Sequence, residues 1–287
     1  MAAPPVAERA RSLGIALEQP DSVNEPPVAA RIAEVQPDAV VVCAFGALIK
    51  EPLLSEHELL NVHPSLLPRW RGAAPIERAI MAGDERTGVS IMRLTAGLDS
   101  GPVCLTASDP IAPEDTYGSL ATRLREIGGE LLVRALDLLA AGEPPTFAEQ
   151  DEAGVTYAEK IGPEDRLLDP ALPAGELERV VRALHPHIGA RVALQDGTLL
   201  GVQRARVAAD GAPAGEMSAG EIPMGVTPVG VTPGGETPTG APPAGTLSAI
   251  DGRLLYGARD RPLELLEVQP PGGRPMDAPA YLRGHAR

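Results

Sequence analysis

The most informative stretch for both the architecture and the candidate site is residues 59–76, which read Leu59-Leu60-Asn61-Val62-His63-Pro64-Ser65-Leu66-Leu67-Pro68-Arg69-Trp70-Arg71-Gly72-Ala73-Ala74-Pro75-Ile76. The first five form a predicted strand that stops at Pro64, because proline cannot donate a hydrogen bond to a neighbouring strand. Asn61 and His63 are two residues apart, so their side chains project from the same face of that strand, at its carboxyl end. In open α/β sheets, ligands bind at this end of the strands.

An amide and an imidazole side by side can stabilise an oxyanion and exchange a proton at one reacting centre. Taken alone, however, an Asn-x-His pair is common by chance, and a lone histidine is more often structural than catalytic. The neighbouring sequence is therefore needed to distinguish a structural role of the pair from a catalytic one.

The surrounding sequence alternates between strand and helix patterns. Helices are predicted at 5–14, 27–35 and 75–82, and strands at 39–44, 59–63 and 88–92. The run at 39–44 is continuously apolar, which is typical of a strand covered on both faces, as in a parallel sheet. Thr116 can cap a long helix to about residue 141, whose apolar residues recur at three- and four-residue steps. This alternation predicts an α/β layered domain.

The pattern changes beyond Pro170. A helix is predicted at 176–184, followed by short strands at 190–194, 199–207, 246–250, 253–256 and 262–268. Short strands with Gly and Pro turns are typical of a small β-barrel or sandwich. We therefore expect a catalytic domain at 1–165, a linker at 166–178 and a β-barrel domain at 179–287.

A low-complexity tract at 208–243 interrupts the second domain. Its Gly-x-x-Pro near-repeat places a proline at every fifth residue, which is incompatible with a helix or a central strand. The tract is interpreted as a disordered insertion in a barrel loop, with a functional tether as the alternative.

The net charge of -14 is concentrated in the first part of the chain. Residues 1–173 hold 14 basic against 27 acidic residues, whereas residues 174–287 hold 11 against 12. A strongly acidic protein is at first sight a poor nucleic-acid partner. Because the acidity is mostly N-terminal, a modestly basic C-terminal module stays open.

Cys43 and Cys104 lie in apolar runs without metal-ligand spacing, so buried free thiols and no metal site are expected. No basic and apolar leader precedes the first helix, and no apolar stretch is long enough to span a bilayer. These features predict a cytoplasmic protein that does not contact a membrane.

Two further segments support a catalytic interpretation of Asn61 and His63. Ser65, Leu66, Leu67 and Pro68 form an apolar loop with a rigid end, able to hold a flat ring against backbone polar groups. Asp99 lies between two glycines, Gly97 and Gly101, a setting usual for a turn residue. Close to an imidazole, the same carboxylate would orient the ring and order a water for proton transfer.

The block from Asn61 to Gly101 closely resembles methionyl-tRNA formyltransferase, most clearly in residues 69–76 and 87–92. Residues 156–161 resemble the stretch that leads to that family's second domain, and residues 185–190 and 269–284 resemble its C-terminal barrel. The resemblance implies an α/β fold: an incomplete Rossmann-like formyltransferase domain followed by a small C-terminal β-barrel, OB-like domain.

The resemblance also implies the chemistry. The family's catalytic triad falls on Asn61, His63 and Asp99, and its tetrahydrofolate-contacting loop falls on Ser65, Leu66, Leu67 and Pro68. No cofactor is expected to be tightly bound, because 10-formyltetrahydrofolate acts as a co-substrate. The methionyl amine of charged initiator tRNA would attack the formyl carbon, with Asn61 and protonated His63 stabilising the oxyanion. The enzyme is expected to be a monomer.

The chain departs from the family at its beginning. Family members start with a strand, a glycine turn, a helix, a second strand and a long basic loop, whereas residues 5–9 align with the segment after that loop. We expect the missing segment in the same reading frame upstream of Met1. Without it, an open sheet edge and weaker recognition of the tRNA acceptor end are expected.

Other functions remain open from sequence. The same Asn, His and Asp set serves glycinamide-ribonucleotide and amino-sugar formyltransferases, and the hydrolase part of formyltetrahydrofolate dehydrogenase. A non-catalytic fragment that binds folate or RNA weakly is a second class of alternative. The C-terminal barrel as a bare RNA-binding module is a third, but its small positive charge does not favour affinity on its own.

Overall fold

The computed structural model describes residues 4–209 and 241–285. Most of the tract predicted at 208–243 therefore lies outside the described residues.

The N-terminal half contains five helices, six strands and two short 3-10 turns among these residues. The helices are α1 Pro5–Ser12, α2 Pro26–Val35, α3 Leu53–Glu56, α4 Pro75–Ala82 and α5 Tyr117–Ala140, and the turns are Glu152–Gly154 and Glu164–Arg166. The strands are β1 Val40–Cys43, β2 Leu59–His63, β3 Arg71–Gly72, β4 Arg86–Arg93, β5 Val103–Pro110 and β6 Tyr157–Ala158.

The main sheet of this half has the order β1-β2-β4-β5. β1 and β2 are parallel, but β2–β4 and β4–β5 are antiparallel, so the sheet is mixed. β5, the far edge strand, was not predicted from sequence. Its Asp109 and Pro110 are poor strand formers that an edge position tolerates.

β1 corrects two expectations. It is an edge strand with only β2 beside it, and Val41 is 40% exposed, so it is not covered on both faces. Cys43, at its end, is exposed, and Cys104 on β5 is only partly buried. Neither thiol is therefore fully buried, and burial raises the pKa of Cys104.

α5 covers the sheet. Thr116 accepts a hydrogen bond from the Ser119 amide, and the Ser119 hydroxyl accepts one from the Thr116 amide, so both ends of the cap are satisfied. The predicted apolar stripe faces inward, where Leu120, Leu124 and Ala135 pack against sheet residues including Val89 and Ile91. This packing fixes β2 and β4, the two strands that carry the site.

The C-terminal half is a curled antiparallel sheet that forms a half-barrel. Its elements are helix α6 Ala174–Leu184, strands β7 Ala190–Ala193, β8 Leu199–Val207, β9 Leu247–Ile250, β10 Arg253–Tyr256, β11 Leu263–Gln269 and β12 Met276–Asp277, and helix α7 Ala278–His285. The order is β7-β8-β11-β10-β9, and β12 pairs with β11. β12 and α7 were not predicted.

α6 belongs to the cores of both halves. Leu177, Val181 and Leu184 lie in the C-terminal core, whereas Ala183 lies in the core under α5. Arg182 on the same helix donates to the backbone oxygen of Asp115, just before α5. The helix begins at Ala174, inside the segment predicted as a linker at 166–178.

Candidate active site

Asn61 and His63 lie at the end of β2, on the same face of the strand. Asn61 pairs with Met92 and His63 with Ser90 across the antiparallel ladder to β4. Both side chains are largely removed from solvent, with relative exposures of 9% and 4%. Polar groups buried in this way need partners, and the partners come from two loops.

The first loop follows β4 and presents Asp99, whose φ of 44° is unusual for a residue other than glycine. One carboxylate oxygen, Oδ1, lies 3.5 Å from Nδ2 of Asn61. The other, Oδ2, lies 3.7 Å from Nδ1 of His63 and accepts a 2.8 Å hydrogen bond from the Gly72 amide. The structure thus brings together the three residues that were selected from sequence.

The second loop supplies a partner to the far side of the imidazole. Nε2 of His63 lies 2.8 Å from the backbone oxygen of Trp70. A carbonyl oxygen can only accept, so Nε2 is the nitrogen that carries a proton in either charge state. Nδ1 is then the nitrogen left to face Asp99.

Trp70 is held firmly in the conformation that presents this oxygen. Its φ is 65°, a left-handed value that costs energy for a bulky residue. Its amide donates to Oγ1 of Thr156 at 2.9 Å, and its indole Nε1 donates to Asp84 at 2.8 Å. Arg69 pairs with both carboxylate oxygens of Asp84 and lies over the indole ring.

The loop predicted to contact folate is held by Ser90. The hydroxyl of Ser90 donates to the backbone oxygen of Ser65 at 2.7 Å and accepts from the Leu67 amide at 3.1 Å. Ser65 itself is fully buried, and its hydroxyl donates to the backbone oxygen of Arg69. Leu66, Leu67 and Pro68 are partly exposed, so they form the accessible part of the loop.

Arg71 and Gln150 join the two loops, and neither was selected from sequence. Arg71 is 3% exposed; its Nε donates to Oε1 of Gln150, and its Nη2 donates to Glu152, each at 3.0 Å. Nε2 of Gln150 donates to the backbone oxygens of Asp99 at 2.8 Å and Gly101 at 2.7 Å. Arg71 lies within residues 59–76, but nothing in the sequence around Gln150 indicates a role in the site.

The arrangement presents amide and imidazole donors beside a carboxylate, at the rim of a sheet. Such a set can stabilise charge that develops on a carbonyl oxygen and can move a proton at the same centre. Within residues 4–209 and 241–285, no group of three or more His, Cys, Asp or Glu is placed to bind a metal ion. Nor does any helix of this part have the length and apolarity needed to cross a membrane.

Two family models match the chain and together cover most of it. A formyl transferase model matches residues 3–136, and a model of the formyl transferase C-terminal domain matches residues 160–286. The predicted fold class, an α/β formyltransferase domain followed by a small C-terminal β domain, is thereby confirmed, and the curled half-barrel is consistent with the OB-like barrel that was predicted there.

Long alignments connect the chain to enzymes of one name. It is 39% identical over 282 residues to the methionyl-tRNA formyltransferase of Symbiobacterium thermophilum, covering 98% of this chain and 78% of that one. The corresponding values are 42%, 98% and 81% for Cereibacter sphaeroides, and 40%, 98% and 82% for Halorhodospira halophila.

Solved structures share the fold. A variant of HypX from Aquifex aeolicus superposes with a TM-score of 0.62 at 18% identity, over 96% of this chain and 45% of that one. HypX from the same organism in complex with tetrahydrofolic acid superposes with a TM-score of 0.60 at 19% identity, over 90% of this chain and 41% of that one. A sugar N-formyltransferase from a Shewanella species gives 0.55 at 21% identity, over 68% and 78%.

Proposed function

Because the chain belongs to the methionyl-tRNA formyltransferase family, we propose that Asn61, His63 and Asp99 transfer a formyl group from 10-formyltetrahydrofolate to methionyl-initiator tRNA. The observation that carries this assignment is the convergence of one amide and one imidazole on one carboxylate, at 3.5 Å and 3.7 Å, at the end of β2. The product is the formylated tRNA that serves translation initiation.

The reaction begins when the methionyl amine attacks the formyl carbon. A new C–N bond forms, and the carbonyl oxygen becomes an oxyanion. An amide NH2 has two hydrogens, so Asn61 can keep its contact with Asp99 and donate the other hydrogen to this oxygen. The second donor is Nδ1–H of protonated His63, because Nε2 is already bonded to Trp70.

The reaction ends when the bond between the formyl carbon and N10 of the folate breaks. The attacking amine loses one proton, and N10 gains one, so the transfer is balanced without any other reactant. Asp99 lies 3.7 Å from Nδ1 of His63, too far for a direct hydrogen bond but close enough to act through a shared water. This pair carries the proton from the amine to N10.

The folate is a co-substrate that leaves after each turnover and is not tightly bound. Leu66, Leu67 and Pro68 supply the accessible apolar wall for its flat ring. Ser65 is buried and contributes by fixing the shape of the loop through Arg69 and Ser90. The four residues therefore act together, but only three offer a contact surface.

The proposed assembly is a monomer that acts in the cytoplasm, where charged initiator tRNA is found. The monomer is supported by the site itself, because Asn61, His63, Asp99 and the hydrogen-bond partners that hold them all belong to one chain. Sedimentation of the purified protein would test the monomer directly.

The decisive experiment offers purified protein three acceptors with 10-formyltetrahydrofolate: charged initiator tRNA, a nucleotide-linked amino sugar, and glycinamide ribonucleotide. Formylation of the tRNA alone is expected. Formylation of only a small amine would contradict the tRNA assignment. Loss of the formyl group to water, without any acceptor, would instead indicate a hydrolase.

A further inference from the structure

The side chain of Gln150 ties together the two loops that hold His63 and Asp99. Its NH2 group reaches two backbone oxygens on either side of Ser100, at 2.8 Å and 2.7 Å. Its oxygen accepts a hydrogen bond from Arg71. Arg71 lies between Trp70, whose backbone oxygen contacts His63, and Gly72, whose amide donates to Asp99. The Gln150 amide therefore connects the loop that holds His63 to the loop that carries Asp99.

The orientation of this amide is determined by its partners. Nε of Arg71 can only donate, so it must face the oxygen of Gln150. The two backbone oxygens can only accept, so they must face the NH2 group. Each polar group of the side chain thus has a complementary partner, and a flipped amide would lose all three hydrogen bonds.

The loop that Gln150 holds has a conformation that needs support. Asp99 has a left-handed φ of 44°, a backbone conformation that residues other than glycine adopt only at an energetic cost. The hydrogen bonds to the backbone oxygens of Asp99 and Gly101 fix the planes of the 99–100 and 101–102 peptides, which follow the Cα that carries the carboxylate. The carboxylate then points between Asn61 and His63.

We propose that Gln150 is a positioning residue for formyl transfer, oriented by Arg71 and acting through the carboxylate of Asp99. This inference rests on the proposed role of Asp99. Gln150 itself does not touch the reacting atoms. Its contribution is to keep Asp99 in the geometry that the transition state requires, where a displacement of about 1 Å costs on the order of 100-fold in rate.

The test compares two substitutions. Gln150→Met removes all three hydrogen bonds while keeping the length of the side chain. Gln150→Glu keeps an oxygen for Arg71 but cannot donate to the backbone oxygens of the loop. Both variants are expected to lower kcat on the order of 10- to 100-fold, with KM for tRNA and for folate changed by less than about threefold.

Gln203→Met is the matched control. Gln203 is also a partly buried glutamine whose Nε2 makes a side-chain hydrogen bond, to Gln269 at 3.1 Å, but it lies in the C-terminal sheet. Its kcat is expected to equal that of the unaltered protein. Should Gln150→Met fail to fold in circular dichroism, Gln150→Glu carries the test, because it retains the bond to Arg71.

A double-mutant cycle with Asp99→Asn separates positioning from a merely structural role. If Gln150 acts through Asp99, adding Gln150→Glu to Asp99→Asn should lower kcat no further. The inference would be overturned if the double variant lost kcat by the product of the two single losses, or if kcat were unchanged in both Gln150 variants. Either result would leave the role of Asp99 intact. Unchanged kcat in Asp99→Asn alone would overturn the site assignment itself.

Discussion

Nε2 of His63 lies 2.8 Å from the backbone oxygen of Trp70, so one nitrogen of the ring is committed to the protein. The other nitrogen, Nδ1, is turned toward Asp99. Rotation of the ring to exchange its nitrogens would break this hydrogen bond. In the proposed reaction, Asn61 and His63 would therefore face the formyl oxygen as a fixed pair.

Asn61→Ala is expected to lower kcat on the order of 100- to 1,000-fold, because in the proposed reaction it removes a donor that is needed only when the oxyanion forms. Single-turnover formylation of charged initiator tRNA would measure the loss. Asn24→Ala removes another asparagine, one that bonds Leu48 and Lys50 away from the site, and serves as the control. Turnover in Asn61→Ala equal to that of Asn24→Ala would contradict the oxyanion role.

Ser90→Ala is expected to raise KM for the folate donor several-fold and to lower the free energy of unfolding by about 1–3 kcal/mol. It leaves the Leu67 amide and the Ser65 oxygen without their partner inside the protein. Initial rates over a range of donor concentrations would show the change in KM.

Ser108→Ala is the control for that change. Ser108 lies on β5, opposite Gly88 on β4, but is exposed, and its hydroxyl accepts a hydrogen bond from the Arg86 side chain. It should leave both KM and stability near their original values. Equal KM in the two serine variants would show that Ser90 does not shape the folate loop.

Asp115→Asn is expected to lower the free energy of unfolding by about 2 kcal/mol at neutral pH. Arg123 lies 2.7 Å from both carboxylate oxygens and lowers the pKa of Asp115 from 3.8 to about 2, with further hydrogen bonds from Ser119 and Ala112. Because the pKa is lowered on folding, the carboxylate stabilises the native state above about pH 4. That contribution is lost as the pH falls toward 2.

Urea unfolding at a series of pH values would measure the contribution of the Asp115 carboxylate. The difference in free energy of unfolding between the original protein and Asp115→Asn should shrink between about pH 4 and pH 2. Asp137→Asn, at an exposed position in the last turn of α5, should show little difference at any pH. If the difference in free energy of unfolding stays constant down to pH 2, the charge of the carboxylate is not the cause of that difference.

Gly129→Ala is expected to raise the free energy of unfolding by about 0.5–1 kcal/mol. Gly129 is exposed in the middle of α5, and an added Cβ would meet no atom within 4 Å. At the neighbouring Gly128, a Cβ would lie 3.0 Å from Cγ1 of Val62, between Asn61 and His63 on β2. Thermal unfolding should therefore show a higher midpoint for Gly129→Ala and no increase for Gly128→Ala. An assay of formyl transfer should show lower turnover for Gly128→Ala only.

Sequence predicted the elements whose patterns are strong and local. The apolar stripe of α5 and the Thr116 cap lie where they were expected, because helical periodicity over many residues is hard to imitate. The mixed direction of the sheet was missed, because the pattern of a single strand does not give the direction of its neighbour, and β5 was missed because it carries polar residues at an edge. The exposure of β1 was also missed, because a continuous apolar run does not reveal how many neighbours a strand has.

The candidate site was predictable in part for the same reason. The two-residue repeat of a strand places Asn61 beside His63, and the turn chemistry around Asp99 marks a loop end. Gln150 is 51 residues away from Asp99, and only the folded chain brings the two together. The burial of Ser65 likewise depends on β4, whose Ser90 lies beneath the loop.

α6 contributes Ala183 to one core and Leu177, Val181 and Leu184 to the other. If either core melted, the helix would expose apolar surface that the remaining core could not cover. The loss of one half therefore weakens the other, and the two should not unfold in separate steps. Calorimetry is expected to show a single heat-absorption peak, and damage to the half-barrel should therefore also lower turnover at the proposed catalytic site.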